Sequence, residues 1–238
     1  MTKKLLLPAI LFVGIIITLV VFTFFSKNMM LSGQEIKTPH FTDSTPLHVE
    51  VYAAQPVNIT VNFNFDLVKV SAISVNSSNK TEWTEGEVLI EDNGTALKKN
   101  LKQGMPDGDY LVNYKACWVD GSCHDGQFSF TIDSAKKSEY ADLTGQSGVE
   151  VKMENLKFAP AKIIISKGTK IVWENTEEVG HFVNTETHPE HTYYLAQNSR
   201  ELANDQNFSV TFQTPGQYNY HCSAHVPQGM LGSLIVVN

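Results

Sequence analysis

The feature that most restricts this chain is the stretch Tyr218-Asn219-Tyr220-His221-Cys222-Ser223-Ala224-His225-Val226-Pro227-Gln228-Gly229-Met230 near its C-terminus. It puts a thiol, an imidazole and a thioether on one short turn, spaced Cys-x2-His-x4-Met. A further imidazole, His181, follows the strand-like run Thr169–Asn175. Two imidazoles and a thiolate with a weak axial thioether are the donor set of a blue-copper electron-transfer centre. Copper must change oxidation state there without large ligand motion, so the pattern calls for a rigid scaffold. Tyr218, Tyr220 and Cys222 share strand parity, so the thiol is expected to point inward with the aromatic rings and His221 to point the other way. His221 is therefore expected off the copper. Ala224 and Gly229 leave room for a tight loop that returns His225 and Met230 to Cys222. The expected ligands of one type 1 Cu(I)/Cu(II) ion are His181, Cys222, His225 and Met230.

The surroundings supply strands. Val149, Val151 and Met153 alternate with Glu150, Lys152 and Glu154; Ile163–Ile165, Ile171–Asn175, Phe208–Thr214, Gln217–His221 and Gly232–Val237 follow. That inventory predicts a Greek-key sandwich. Residues 148–238 also resemble a plastocyanin-like cupredoxin, through the ligand loop and through Ile171-Val172-Trp173-Glu174-Asn175 leading to His181. The resemblance implies a blue-copper domain in which His181 is the first ligand. Asn184, three residues on, is a candidate support for the ligand strand. The long insert Thr185–Asn207 contains His188-Pro189-Glu190-His191 and is expected to be a solvent-exposed loop. His188 and His191 are weak candidates for a second metal site.

A first all-β domain precedes this one. Val57, Ile59, Val61, Phe63 and Phe65 alternate with Asn58, Thr60, Asn62, Asn64 and Asp66, the pattern of a half-buried antiparallel strand. Strands are further expected at Ala72–Val75, Glu87–Ile90, Tyr110–Ala116 and Gln127–Ile132, between turn signals such as Asp92-Asn93-Gly94 and Pro106-Asp107-Gly108. Parity counted from Tyr110 and from Phe128 puts Cys117 and Cys123 both on the outer face of a hairpin. There they can bridge across the Asp120-Gly121 turn, or join His124 in a site for Cu(I) or zinc. Three cysteines outside a cell leave one thiol to explain. Pairing Cys117 with Cys123 leaves Cys222 for metal, and a disulfide is the expectation adopted.

Residues 48–133 resemble a CopC-like copper-resistance domain, through Pro56–Leu67 and the closing hairpin Asp107–Asp133. The resemblance implies the fold. The family's copper site uses a histidine after Asp-Gly and a free N-terminal histidine amine. Here Ser122 follows Gly121, and His40 and His48 lie inside the polypeptide. His48 and His124 remain weak candidates for a second site.

The N-terminus adds a compartment. Leu5–Phe25 is free of charge, and 21 helical residues at about 1.5 Å each span a hydrocarbon core of about 30 Å. An uncleaved anchor is expected over 5–25, with a cytoplasmic tail at 1–4. The rival reading is a cleaved signal peptide, whose apolar region should run only about 7–15 residues and end at a small-x-small site, where Ser26-Lys27-Asn28-Met29-Met30 stands here. Lys3 and Lys4 outnumber Lys27, so the N-terminus is expected inside and both β-domains outside, periplasmic or at the cell surface. A tether is expected over 26–46, the first domain over 47–133, a linker over 134–147 and the copper domain over 148–238. The net charge is −7, with Arg200 the single arginine, which argues against nucleic acid.

The fold class is thus all-β, two Greek-key β-sandwiches behind one transmembrane helix. The function expected is a membrane-anchored electron carrier with a redox protein as partner and no small-molecule substrate. The alternative is a module for copper resistance, trafficking or sensing. An enzyme fits less well. A multicopper oxidase needs a His-Cys-His run where residue 223 is serine, and a CuA centre needs a second cysteine in the loop. In a nitrite reductase, which also has His-Cys, the next ligand histidine lies much further along.

Overall fold

The computed structural model describes residues 40–91 and 94–238. The expected anchor over 5–25 and residues 26–39 of the expected tether lie outside the described residues. Among the described residues no helix is long and apolar enough to cross a membrane.

The first half contains strands β1 (Phe41–Thr45), β2 (Glu50–Tyr52), β3 (Asn58–Phe63), β4 (Ala72–Ser77), β5 (Thr84–Ile90), β6 (Ala96–Leu101), β7 (Gly108–Cys117) and β8 (Cys123–Ile132). They form two sheets, ordered β1-β3-β6-β5 and β2-β8-β7-β4. Alternation decides which side chains enter the core. Tyr110, Val112, Tyr114 and Ala116 of β7 and Phe128, Phe130 and Ile132 of β8 meet Ile59, Val61 and Phe63 of β3. Tyr110 and Phe130 stack with ring centroids 5.2 Å apart. The strand β1 falls in the stretch assigned to the tether. It pairs with β3, Ser44 opposite Val61 and Thr45 opposite Thr60, so the polar run 41–45 is a sheet edge, where backbone pairing does not need an apolar face.

The second half contains β9 (Ala141–Asp142), β10 (Gly148–Glu154), β11 (Lys157–Ala159), β12 (Lys162–Ser166), β13 (Lys170–Asn175), β14 (Asn184–Thr185), β15 (Asn207–Thr211), β16 (Gly216–His221) and β17 (Leu231–Val237). Its sheets are ordered β11-β10-β13-β15 and β14-β16-β17-β12-β9. The β10–β13, β12–β17 and β9–β12 pairs are parallel. Trp173 packs edge-on against Tyr220, centroids 5.5 Å apart, in a core that also takes in Cys222 and Met230. The expected linker is ordered. A 3-10 turn over Ser134–Glu139 is capped by the Asp133 side chain, which accepts from the Ala135 N–H at 3.1 Å, and β9 then extends the second sheet.

The described residues, 40–91 and 94–238, form one compact unit, and two expectations about its surface fail for the same reason. The polar face of β3, expected in solvent, is buried along the whole strand. The insert 185–207, expected to be an exposed loop, covers that face. Thr192 Oγ1 donates to Asn62 Oδ1 at 2.8 Å, Asn58 Nδ2 donates to the Tyr193 carbonyl at 3.3 Å, and Lys98 Nζ reaches the Thr192 carbonyl at 3.0 Å. Buried polar groups must find partners, and an alternating polar face can supply them as readily to a neighbouring domain as to water. Tyr193 is 0% exposed; its hydroxyl accepts from the Val57 N–H at 2.7 Å and donates to the Gln217 carbonyl at 2.9 Å. Two carboxyls share this seam. Asn219 Nδ2 donates to Glu50 at 3.1 Å and the Tyr52 hydroxyl lies 3.4 Å from Glu186. Burial raises both carboxyl pKa values; that of Glu186, with Glu50 beside it, is pushed up to about 8.

Candidate metal centre

The strand β13 ends at Asn175, whose buried side chain fastens the loop that follows. Its Nδ2 donates to the carbonyls of Val179 and Leu202 at 2.8 and 2.9 Å, and its Oδ1 accepts from the Glu177 N–H at 2.9 Å. His181 is then held to Leu202 by reciprocal backbone hydrogen bonds of 3.0 and 2.8 Å. From the other side, β16 delivers Cys222, and the chain turns back on itself. The His225 N–H donates to the Cys222 carbonyl at 2.9 Å, the Met230 N–H to the His225 carbonyl at 3.2 Å, and the Cys222 N–H to the Met230 carbonyl at 3.1 Å. Gly229 closes the turn at φ +71°, a left-handed conformation that favours glycine. Lys157 Nζ pins the turn through the Gln228 and Gly229 carbonyls at 2.9 and 2.8 Å.

The result is convergence. Cys222 Sγ lies 3.6 Å from His181 Nδ1 and 3.3 Å from His225 Nδ1, and one donor atom from each residue falls within a 4.8 Å group. Donors about 2.0–2.3 Å from a common tetrahedral or trigonal ion stand roughly 3.5 Å apart, so the spacing fits a metal ion. His181 and Cys222 are 0% exposed and Met230 is buried beside them. His225 is half-buried, with Val226 and the exposed Pro227 next to it.

The supports were only partly foreseen. His181 Nε2 lies 2.7 Å from Glu177 Oε2. A carboxylate accepting from Nε2–H leaves Nδ1 as the free donor toward the thiol. The Phe182 N–H points at Cys222 Sγ at 3.3 Å. Glu177 gave no sequence signal beyond lying four residues before His181. Asn184, the expected support of the ligand strand, pairs from β14 with His221 of β16, and its side-chain Oδ1 is buried without a hydrogen-bond partner.

The weaker candidates separate into two outcomes. Cys117 and Cys123 are disulfide-bonded, with Cα atoms 4.1 Å apart. Both cysteines lie on the outer face of the hairpin as expected, but Cys117 is buried there because the loop after β3 covers it: Ser71 Oγ accepts its N–H at 2.9 Å and the Val68 N–H donates to its carbonyl at 2.9 Å. His124 is exposed beside the Tyr114 ring, and His48 Nδ1 accepts from the Ser129 N–H at 3.3 Å. Among the described residues, no group of three potential ligands includes either histidine. His188 and His191 instead meet His221, and the three offer ring nitrogens within 4.8 Å of one another. Burial, with His191 and His188 beside it, pushes the His221 pKa down to about 4.

Comparison with known proteins agrees with this division. Residues 41–133 match the family model of the CopC domain, and residues 146–237 that of copper binding proteins of the plastocyanin/azurin family. Amicyanin-alpha of Methylorubrum extorquens is 33% identical over 76 residues, 32% of this chain and 62% of that protein. Chloroplastic plastocyanin of Tetradesmus obliquus is 28% identical over 88 residues, 34% of this chain and 59% of that one. The chain thus spans about three fifths of the length of these relatives. The crystal structure of CopC from Methylosinus trichosporium OB3b aligns with 40% of this chain and 94% of its own, at 22% identity and a TM-score of 0.36. By the two family models, the chain joins a stretch that matches the CopC domain to one that matches copper binding proteins of the plastocyanin/azurin family.

Proposed function

We propose that this protein is an extracytoplasmic electron carrier holding one type 1 copper ion through His181, Cys222, His225 and Met230. The observation that carries the reading is the convergence of two imidazole Nδ1 atoms on the buried Cys222 thiol. Bound copper would supply one-electron chemistry between Cu(I) and Cu(II). The protein's own residues keep the donors still in both states. Glu177 holds the His181 ring, the Phe182 N–H is directed at the thiolate, and the backbone bonds of the 222–230 turn fix His225 and Met230. A site braced in this way keeps its geometry when the charge at its centre changes.

The half-buried ring of His225, with Val226 and Pro227 around it, forms the face through which a redox protein would exchange electrons. An apolar rim lets two such proteins approach without stripping water from charges, which suits the small interfaces of transient electron transfer. The uncharged segment 5–25 would anchor the carrier in the cytoplasmic membrane with both β-halves outside. Neither a small-molecule substrate nor nucleic acid enters this reading.

The CopC domain favours a second reading, copper resistance or delivery. The carrier is preferred because a thiolate–thioether site buried to this depth suits reversible redox better than release. The test is redox cycling of the copper-loaded protein, followed by electron self-exchange in the Val226→Asp variant. A carrier cycles without losing copper, and Val226→Asp slows self-exchange while leaving the visible spectrum unchanged. Loss of copper on reduction would favour the delivery reading.

A further inference from the structure

We propose that His188, His191 and His221 form a second, separate metal site, a three-imidazole centre whose preferred occupant is copper(II). One ring nitrogen from each lies within 4.8 Å of the others. His191 Nε2 and His221 Nε2 are 3.1 Å apart, and the three ring centroids stand 5.0 to 5.4 Å from one another. Donor atoms gathered on one ion at about 2.0–2.1 Å stand roughly 3.3–3.5 Å apart, so small shifts of side chains already in place would complete the site.

The three histidines come from two parts of the chain, and both are fixed. His221 ends β16, buried, on the face of the strand opposite Cys222. His191 sits in the insert 185–207, where its N–H donates to the Thr187 carbonyl at 2.6 Å and its carbonyl accepts from Asn198 Nδ2 at 2.9 Å. The neighbouring Thr192 is bonded to Asn62 of the CopC half. That half therefore braces the loop carrying two of the ligands, which gives the buried polar face of β3 a purpose beyond domain contact. His188 is exposed and leaves the centre open to solvent on one side. Ser223 Oγ lies 3.1 Å from His191 Nε2 and 3.5 Å from His221 Nε2, at the position of a fourth neighbour.

The donor set narrows the occupant. Three imidazoles without thiolate or carboxylate suit copper, zinc or nickel rather than calcium or magnesium, and among divalent first-row ions copper(II) binds such donors most tightly. Because His221 and Cys222 are consecutive, the two centres would be joined through a single peptide bond while remaining distinct in ligands and exposure.

The test uses the full chain carrying Cys222→Ser together with His225→Ala, which leaves a single imidazole at the thiolate centre and makes the outcome independent of the electron-carrier reading. Titration with Cu(II) alone, followed by electron paramagnetic resonance, is expected to give one tightly bound equivalent with nitrogen superhyperfine structure and no intense visible band. Adding His188→Ala, at an exposed position, should weaken that equivalent by at least about tenfold, and His188→Ala with His191→Gln should abolish the signal. Circular dichroism checks that each variant is folded. In the protein retaining Cys222, His188→Ala with His191→Gln should lower copper from two equivalents to one and leave the visible band unchanged. The proposal is overturned if the Cys222→Ser, His225→Ala chain shows no nitrogen-coordinated Cu(II), or if that signal persists unaltered in the folded His188→Ala, His191→Gln variant.

Discussion

The two halves of this molecule are built alike and equipped differently. Each packs two sheets around an aromatic core, and each carries its cysteine chemistry on a strand near the end of the half. In the first half the two thiols are spent on each other in a hairpin disulfide, and among the described residues no group of three potential ligands forms there. In the second half the single thiol is buried, unpaired and faced by two imidazoles. What separates the halves is what the turn after the cysteine returns to it. Between Cys117 and Cys123 the hairpin brings back a second sulfur; between Cys222 and Met230 it brings back an imidazole and a buried methionine.

The largest test of this contrast concerns the seam, because the halves differ in chemistry but share one compact unit. Tyr193→Ala removes a fully buried ring and both hydrogen bonds of its hydroxyl. Calorimetry should show a loss of about 3–5 kcal/mol, with melting of the first half also lowered. An unchanged first-half transition would mean that the Val57–Tyr193 contact couples nothing.

Reducing the disulfide comes next. It closes a seven-residue loop, Cys117 to Cys123, for which chain-entropy reasoning gives about 2 kcal/mol. Cys117→Ser with Cys123→Ser should lower the unfolding free energy from denaturant titration by that amount and leave copper binding at Cys222 intact. A lost visible band would place copper chemistry in the wrong half.

A smaller effect is set by pH. Burial raises the Glu50 carboxyl above its ordinary value, and Glu186 across the seam is raised as well. At these carboxyls the folded protein holds protons that the unfolded chain releases, which lowers stability as pH rises toward 8, whereas the depressed pKa of buried His221 raises stability as pH climbs from about 4 to 6.5. The net fall is therefore expected between about pH 6.5 and 8. Glu50→Gln should flatten that slope. A wild-type stability that rises between about pH 6.5 and 8 would contradict the assignment. The smallest effect is expected at His124, exposed on its hairpin: His124→Ala should leave copper stoichiometry unchanged, and a drop of one equivalent would restore a metal site to the first half.

How far the sequence alone reached can be traced residue by residue. The period-two runs at 110–116, 127–132 and 149–153 announced their strands because side-chain alternation is a local property. The ligand turn was equally legible, since Cys222, His225 and Met230 lie within one loop. The strand β6 was not, because Ala-Leu-Lys-Lys-Asn-Leu does not alternate and depends on pairing with β3 and β5 on either side. The polar face of β3 was read as solvated because its partners, Thr187 and Thr192, lie 125 and 130 residues away. Parity placed Cys117 on the outer face, where it bridges to Cys123, but not its burial, since residues 68–71 cover that face. At the metal centre, Glu177 and Asn175 act through hydrogen bonds that only the folded loop creates. His221 was placed off the thiolate by strand parity, yet its meeting with His188 and His191 depends on the path of the insert.

The most direct measurement is the visible and electron paramagnetic resonance spectrum of the copper-loaded chain beside two single variants. The account predicts an intense thiolate-to-copper charge-transfer band in the wild-type protein, absent in Cys222→Ser and retained in His221→Ala, because the two side chains leave opposite faces of one strand. A band that survives Cys222→Ser, or that disappears in a folded His221→Ala, would contradict it.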